Sequence, residues 1–161
     1  MSSGNVSAYQ GKGIEVVQNG SEVFVKVYTT SALTDGVVYQ LTYIYDSTIG
    51  IYAQVVGAAT IATNNAIVCV VQNALKGRSG IAANSWGFVQ VAGVCEYCAT
   101  SGSVAANDQL EVINGGAALI DQGANGGAAL GSNACALAIS NVTTNVWKVF
   151  LFGKQVVIAG S

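Results

Sequence analysis

The sequence contains no histidine among its 161 residues. Without an imidazole there can be no Ser-His-Asp triad, no Cys-His catalytic pair and no HExxH zinc site. A pH switch based on histidine is excluded for the same reason. Many common enzyme classes therefore lie outside the chemistry of this chain, and we expect a protein without catalytic activity.

Charged residues are also scarce. They make up 9% of the chain, with six lysines and arginines against eight acids and a net charge of −2. An average domain is about 25% charged. No basic run is available to neutralise phosphates, so no nucleic-acid partner is expected. Because 52% of the residues are hydrophobic, we interpret the low charge as a surface covered in part by other protein chains.

Long hydrophobic runs are missing as well. A membrane-spanning helix needs about 18 consecutive apolar residues. The best candidate is the short segment Val55–Ala62, which is interrupted by Gly57 and Thr60. Residues Met1–Gly13 lack the basic and apolar regions of a secretory signal. We therefore expect no membrane partner and no export by that route.

Four cysteines are present, at positions 69, 95, 98 and 135. Cys95 and Cys98 form a CxxC pair, but Cys69 and Cys135 stand singly, so the paired spacing of a zinc ribbon is absent. A redox CxxC usually opens a helix, whereas this one lies in a β-rich stretch. The Gly-rich segments lack the GxxxxGK[ST] spacing of a phosphate-binding loop. We expect buried or half-buried free thiols, and no metal, other cofactor or small-molecule substrate.

Hydrophobic residues alternate with a period of two through most of the chain. Such runs cover residues 22–28, 37–45, 86–91 and 146–152 and are rich in β-branched and aromatic types. Turn signals such as Asn19-Gly20 and Asp35-Gly36 separate the runs. Several runs are apolar on both faces, which indicates strands buried on two sides. The pattern predicts an all-β fold: a single antiparallel β-sandwich or barrel of about ten short strands, jelly-roll-like or β-tulip-like, over residues 14–161.

The first 13 residues have a different character. Met1–Gly13 is polar, contains glycine and serine, and ends in Gly11-Lys12-Gly13 before the first predicted strand. One interpretation is a frayed terminus. The other is an extended N-terminal arm, residues 1–13, that orders on a neighbouring chain by strand addition. The sequence leaves both open.

Aromatic side chains fall on strand faces in two places. Tyr39, Tyr43 and Tyr45 share one face of a predicted strand, and Trp86 and Phe88 share a face of another. Such a stripe is usually core or subunit interface, and the alternative is a sugar-binding platform. A fibre-tip or glycan-binding module is therefore the alternative function. The candidate interface residues are Tyr9, Tyr39, Tyr43, Trp86 and Phe88.

The acids allow an enzymatic hypothesis as well. A glycosidase needs two carboxylates that face each other across a sugar-sized cleft. Asp35, Asp46 and Asp108 lie in turn clusters, and Glu22 and Glu111 alternate with predicted core valines. These positions favour structural roles. A polysaccharide-degrading sandwich with a carboxylate pair is therefore a third hypothesis, behind the two others.

Two motifs in the second half of the chain are more specific. Trp86–Gly93 has the sequence Trp-Gly-Phe-Val-Gln-Val-Ala-Gly, and Val104–Leu110 has the sequence Val-Ala-Ala-Asn-Asp-Gln-Leu. They resemble the small decoration (cement) proteins of tailed-bacteriophage capsids, in which an aromatic-Gly-aromatic-Val-Gln-Val-x-Gly strand is followed by a v-x-x-G-D-x-L turn. Asn107 replaces the usual glycine of that turn, and asparagine also tolerates a positive φ. The likeness extends over residues 67–158.

The resemblance implies a β-rich structural subunit of the virion, commonly a homotrimer. Such a subunit sits on the capsid exterior at threefold or quasi-threefold positions and clamps neighbouring copies of the major capsid protein. The implied partners are the major capsid protein and further copies of this chain, after synthesis in the host cytoplasm. The motifs are structural ones and imply no catalytic residue.

Overall fold

The computed structural model describes residues 14–48, 50–55, 66–72, 80–112, 116–125, 134–153 and 155–156. A short 3-10 helix, Gln122–Asn125, accompanies the strands. Among the described residues no helix has the length and hydrophobicity that a membrane span requires. The all-β prediction is confirmed, whereas the predicted arm, residues 1–13, lies outside the described residues. The strands of the described residues are β1 (Val16–Asn19), β2 (Glu22–Thr29), β3 (Val38–Asp46), β4 (Gly50–Val55), β5 (Ala66–Val70), β6 (Ser85–Ser101), β7 (Gln109–Val112), β8 (Leu119–Asp121), β9 (Ala136–Thr143), β10 (Val146–Phe152) and β11 (Gln155–Val156).

The predicted strands and turns agree with the structure where it describes them. The four alternating runs correspond to β2, β3, β10 and the first part of β6. Gly20 and Gly36 have φ values of +61° and +76° in the predicted turns, a backbone region that glycine enters without steric cost. The period of two and the turn residues thus located these strands correctly.

Five strands form a closed ring of pairings, which we call the first barrel. β2 pairs with β4, β4 with β3, β3 with β5, β5 with β6, and β6 returns to β2. Directions cannot alternate all the way round a ring of five, so one neighbouring pair has to be parallel, and that pair is β2 with β4. The barrel interior is mostly aliphatic and comprises Val25, Val27, Leu33, Tyr39, Leu41, Ala53, Val55, Val71, Ile81, Val89 and Val91.

A second closed set of pairings, the second ring, follows the first barrel. Here β6 pairs with β10, β10 with β9, β9 with β7, β7 with β8, and β8 returns to β6. The ring again has five members, and again a single pairing, β6 with β8, is parallel. The second core is lined by Cys95, Cys98, Leu110, Val112, Leu119, Cys135, Ala136, Ala138, Trp147, Val149 and Leu151, together with Val38, Val68 and Val70 from β3 and β5.

The 17-residue strand β6 belongs to both units, and it changes partners near its middle. Residues 85–92 pair with β2, and residues 92–99 pair with β10. At the junction Gly93 has a φ of +85°, and a Cβ placed there would overlap the carbonyl oxygen of Ser21. Val91 is an extra residue in the register with β2, so a β-bulge bends the strand at the same point. The last glycine of the Trp86–Gly93 motif is thus required by the backbone.

The wall formed by β3 and β5 is covered on both faces. Tyr39 points into the first barrel, whereas the adjacent Val38 belongs to the second core. Val68 and Val70 of β5 also face the second core. The outer face of β3 and β5 in the first barrel therefore covers the second core. The two units pack together as one continuous structure.

Candidate interaction surfaces

The predicted interface residues are placed in three different environments. Tyr9 lies outside the described residues. Tyr39 is 2% exposed, and its hydroxyl accepts a hydrogen bond of 2.7 Å from the backbone N–H of Thr34. Because it is enclosed within the first barrel, Tyr39 is a core residue and not an interface residue. Tyr43, Trp86 and Phe88 remain accessible to different extents.

Tyr43 lies on a hairpin that projects beyond the first barrel. Within the described residues β3 pairs with β5 only as far as Leu41, and β4 pairs with β2 only from Ala53 onward. Beyond these points the only partner that the described part of the chain gives β3 is β4, and the two strands pair with each other up to Asp46 and Gly50. The hairpin end is therefore a two-stranded ribbon.

One face of this hairpin points into the barrel interior where the strands belong to the barrel. The same face is exposed at the hairpin end. Tyr43, Tyr45 and Ile51 lie on that face, since Tyr45 is the cross-strand partner of Ile51 and Tyr43 that of the barrel residue Ala53. Their exposed fractions are 47%, 75% and 52%. We refer to Tyr43, Tyr45 and Ile51 as the hairpin ridge. It is a contiguous apolar surface, of the kind that marks interaction sites.

Trp86 is part of an aromatic cluster on the outside of the first barrel. Its ring centroid lies 5.4 Å from that of Tyr28 and 5.8 Å from that of Tyr52, with the ring planes inclined by 55° and 65°. The Lys26 ammonium nitrogen lies 5.4 Å from the Trp86 ring centroid and 3.4 Å from a carboxylate oxygen of Glu15. This is a packed cluster with a cation–π contact. It does not present coplanar rings on which a sugar could stack.

Phe88 lies next to that cluster. It is half-buried and is the cross-strand partner of Lys26 on β2. The side chain of Lys26 is only 4% exposed, and its ammonium group contacts Trp86 and Glu15. Trp86 and Phe88 therefore pack against neighbouring side chains on the exterior of the first barrel.

A second apolar surface lies on the outer side of the second ring. Phe150 and Phe152 of β10 are 38% and 39% exposed, and their ring centroids are 6.5 Å apart. Phe150 has Val94 of β6 and Leu137 of β9 as its cross-strand partners, and both are half-buried. We refer to Phe150, Phe152, Val94 and Leu137 as the C-terminal sheet face. This surface was not predicted from the sequence, although the alternation in residues 146–152 placed both phenylalanines on one side of a strand.

One ion pair borders the C-terminal sheet face. The Lys148 ammonium nitrogen lies 2.7 Å from a carboxylate oxygen of Glu96, and the two side chains are 35% and 36% exposed. Lys148 precedes Phe150 by two residues on the same side of β10. The face is thus apolar, with a largely neutralised charge pair at its margin.

Three of the four cysteines, Cys95, Cys98 and Cys135, lie in the second core. Val149 pairs with Cys95 and Trp147 with Cys98, so three residue steps on β6 match two on β10. This bulge turns both thiols of the CxxC to the same, interior side, although their spacing of three would put them on opposite faces of a regular strand. Cys95 and Cys98 are buried free thiols, and Cys135 is buried as well, in agreement with the predicted burial of the thiols. The side chain of Cys69 lies outside the described part of the structure.

The thiols are held by local hydrogen bonds. Cys135 donates to the backbone oxygen of Leu110 at 3.5 Å, and Cys95 donates to that of Tyr97 at 3.4 Å. A hydrogen bond with the Cys95 side chain, together with burial, raises the pKa of Cys98 well above its usual value. Within the described residues no group of three or more cysteines and acids is arranged to hold a metal ion.

Most of the acids have a local structural partner. Asp46, Asp108 and Asp121 accept hydrogen bonds from the backbone N–H groups of Thr48, Ala105 and Gly123, at 2.8, 2.6 and 2.9 Å. Two of the remaining acids form the ion pairs already described. These five carboxylates stabilise turns or balance lysines.

No protein-family model matches the chain, and no curated protein matches it. Among solved structures, the chain is similar to that of the head fiber gp8.5 N base in bacteriophage phi29. The TM-score is 0.49 at 10% sequence identity, and the alignment covers 84% of this chain and 98% of that chain.

Proposed function

We propose that this chain is a structural protein of the virion that decorates the exterior of a tailed-phage capsid. It binds the major capsid protein at threefold or quasi-threefold sites, as a homotrimer and without catalytic activity. The observation that carries the proposal is the motif pair of Trp86–Gly93 and Val104–Leu110. In the structure the first motif forms the part of β6 that closes the first barrel.

The second motif supports the proposal through its backbone geometry. Asn107 has a φ of +73°, at the position where the family's turn usually has glycine. Asp108 then accepts the N–H of Ala105 within the same turn. The substitution of asparagine for glycine therefore preserves the turn, as the sequence analysis expected.

The surfaces favour contact with other proteins. The hairpin ridge exposes Tyr43, Tyr45 and Ile51, and the C-terminal sheet face exposes Phe150 and Phe152. Apolar residues gathered in this way are typical of interaction sites. The chain also carries few charges that such contacts would have to desolvate.

A role without catalysis is consistent with the carboxylates. Five of the eight acids take part in turns or ion pairs. A decoration protein needs no reacting group, because its effect is one of mass action. Binding to the assembled lattice alone stabilises that lattice by the binding free energy, repeated at every site.

Co-sedimentation with capsids tests the proposal. The purified chain is added in increasing amounts to expanded capsids of its phage, and unexpanded shells serve as the control. We expect saturation at a fixed ratio of one trimer to each threefold or quasi-threefold position, with weaker binding to the unexpanded shells. Failure to sediment with capsids, or binding without saturation, would contradict the proposal.

A further inference from the structure

We propose that the side chain of Gln72 is a latch on β6. It holds the bulged segment, residues 95–98, closed over the second core, and its release is the local opening that makes the thiols of Cys95 and Cys98 accessible. This conformational device lies where the two units meet. The inference goes beyond the proposed function and does not depend on it.

The first argument concerns the backbone of Tyr97. The register of β6 with β10 passes from Cys95 to Cys98 and omits the two residues between them. The Gln72 side chain contacts both backbone groups of Tyr97: its Oε1 accepts the N–H at 3.1 Å, and its Nε2 donates to the carbonyl oxygen at 2.5 Å. One side-chain amide thus supplies the pair of hydrogen bonds that a neighbouring strand would supply.

The second argument concerns the attachment of the latch. Gln72 follows Val71, which is fully buried in the first core, and its Nε2 also donates to the carbonyl oxygen of Val71 at 3.0 Å. The same oxygen accepts the N–H of Gly36, and the carbonyl oxygen of Gly36 accepts the N–H of Ala99. The latch is therefore fixed to the first barrel, whereas the segment that it holds belongs to the second ring.

The third argument explains why this segment needs a latch. A regular strand that kept Cys95 inward would also turn Tyr97 inward, and one that kept Cys98 inward would turn Glu96 inward. The bulge keeps both of these side chains out of the core, but its extra residue is left outside the ladder of β6 and β10. The hydrogen bonds from Gln72 compensate the backbone for that loss.

The fourth argument connects the latch to a thiol. The carbonyl oxygen of Tyr97 that accepts from Gln72 also accepts from the thiol of Cys95, at 3.4 Å. Cys95 and Cys98 are fully buried, whereas Tyr97 between them is 38% exposed. The bulged segment is therefore part of the wall between the thiols and solvent. Opening of such a short segment costs less free energy than unfolding of the whole chain.

Alkylation of individual thiols with N-ethylmaleimide tests the inference in the full chain. Gln72→Met removes both hydrogen bonds to Tyr97 and keeps a side chain of similar size. Cys95 and Cys98, followed by peptide mass spectrometry, should react about 10- to 30-fold faster than in the wild-type chain, because each lost hydrogen bond contributes roughly a factor of five. Cys135 is the internal reference, since its thiol is buried in the same core but donates to Leu110, and its rate should not change.

A matched control and a second variant complete the experiment. Gln18 also donates from its Nε2 to a backbone oxygen, that of Gly20, but it lies on β1, so Gln18→Met should leave all three rates unchanged. If Gln72→Met does not fold by circular dichroism, Gln72→Glu replaces it, since a carboxylate still accepts the N–H of Tyr97 but cannot donate to its carbonyl oxygen.

The three rates together decide the inference. Faster alkylation of Cys95 and Cys98 with an unchanged rate at Cys135 supports the latch. Unchanged rates at all three thiols would overturn it, because the segment would then stay closed without Gln72. Equal acceleration at all three would overturn it as well, since the thiols would then be exposed by unfolding of the whole chain and not by a local opening.

Discussion

The first barrel and the second ring have the same number and arrangement of strands, but they differ in core composition and in the surface that each exposes. Each has five strands and a single parallel pair, and they share β6. The first core consists largely of valines around Tyr39, whereas the second combines small residues, such as Cys95 and Ala138, with the large Trp147. The first barrel ends in a projecting hairpin, and the second ring presents a flat sheet face.

This difference shows how one strand alternation can give both a core and a contact surface. Leu41 and Tyr43 lie on the same side of β3, but Leu41 is 3% exposed and Tyr43 is 47% exposed. Among the residues that the structure describes, the pairing of β3 with β5 ends between them. In the second ring, Phe150 and Leu151 are neighbours on β10, and only Leu151 faces the interior. In the first unit the exposed apolar surface is thus formed where β3 extends beyond its pairing with β5. In the second unit it is formed by the outward-facing side chains of β10.

The largest expected effect is at the junction of the two units. Gly93→Ala should lower the free energy of unfolding by about 4 kcal/mol or more, because the added Cβ meets the backbone of Ser21 and Glu22 at a φ of +85°. Gly102 is the matched control, since its φ is +76° but an added Cβ has nothing within 4 Å. Gly102→Ala should cost only the left-handed strain, about 1–2 kcal/mol. Equal losses in urea unfolding would show that the close approach of Gly93 to Ser21 and Glu22 adds nothing to the cost of the left-handed backbone.

A second effect tests whether the two units unfold together. Leu110 is fully buried in the second core, and Leu110→Ala should cost about 2–5 kcal/mol. Trp86 lies on the first barrel and Trp147 in the second core, so Trp147→Phe and Trp86→Phe backgrounds leave one reporter in each unit. Because β6 and the wall of β3 and β5 are shared, both fluorescence transitions should shift by the same amount.

The control for that comparison lies in the other core. Leu41 is 3% exposed in the first barrel, and Leu41→Ala should also move both reporters equally. A shift of the Trp147 transition alone in Leu110→Ala, and of the Trp86 transition alone in Leu41→Ala, would mean that the units unfold independently. The shared strand would then couple their geometry but not their stability.

Much of the fold was predictable because strand formation is local. The period of two located β2, β3 and β10, and positive φ at Gly20 and Asn107 agrees with their turn chemistry. The closure of the rings was not predictable, since it depends on which strands pair across long separations. Tyr39 was assigned to an interface because the sequence shows only which face of the strand it shares with Tyr43. Its burial depends on the closure of the barrel around it, which the sequence pattern does not show.

The candidate site was predictable only in part. Its position on an aromatic strand face made Tyr43 a candidate, and the structure shows that it is exposed. Phe150 and Phe152 were not selected, although the alternation in residues 146–152 placed both on one side of a strand. The inward orientation of both Cys95 and Cys98 depends on a bulge, and a bulge has no signature in a period-two pattern. Features that break the period therefore escaped prediction, and they lie at the junctions and surfaces of the molecule.

The smallest expected effect is a pH dependence that arises in the second core alone. The raised pKa of Cys98 means that the folded state retains its proton at a pH where the unfolded thiol, with a pKa of about 8.5, has released it. Its contribution is therefore fully present below about pH 8.5 and is lost as the pH rises towards the folded-state pKa, by at most ~1.4 kcal/mol per pH unit. Urea unfolding from pH 7 to 10 should show a steeper alkaline decline for the wild-type chain than for Cys98→Ala. The comparison uses slopes, because the substitution also removes a buried sulfur. Identical slopes would show that Cys98 ionises as readily in the packed second core as in the unfolded chain.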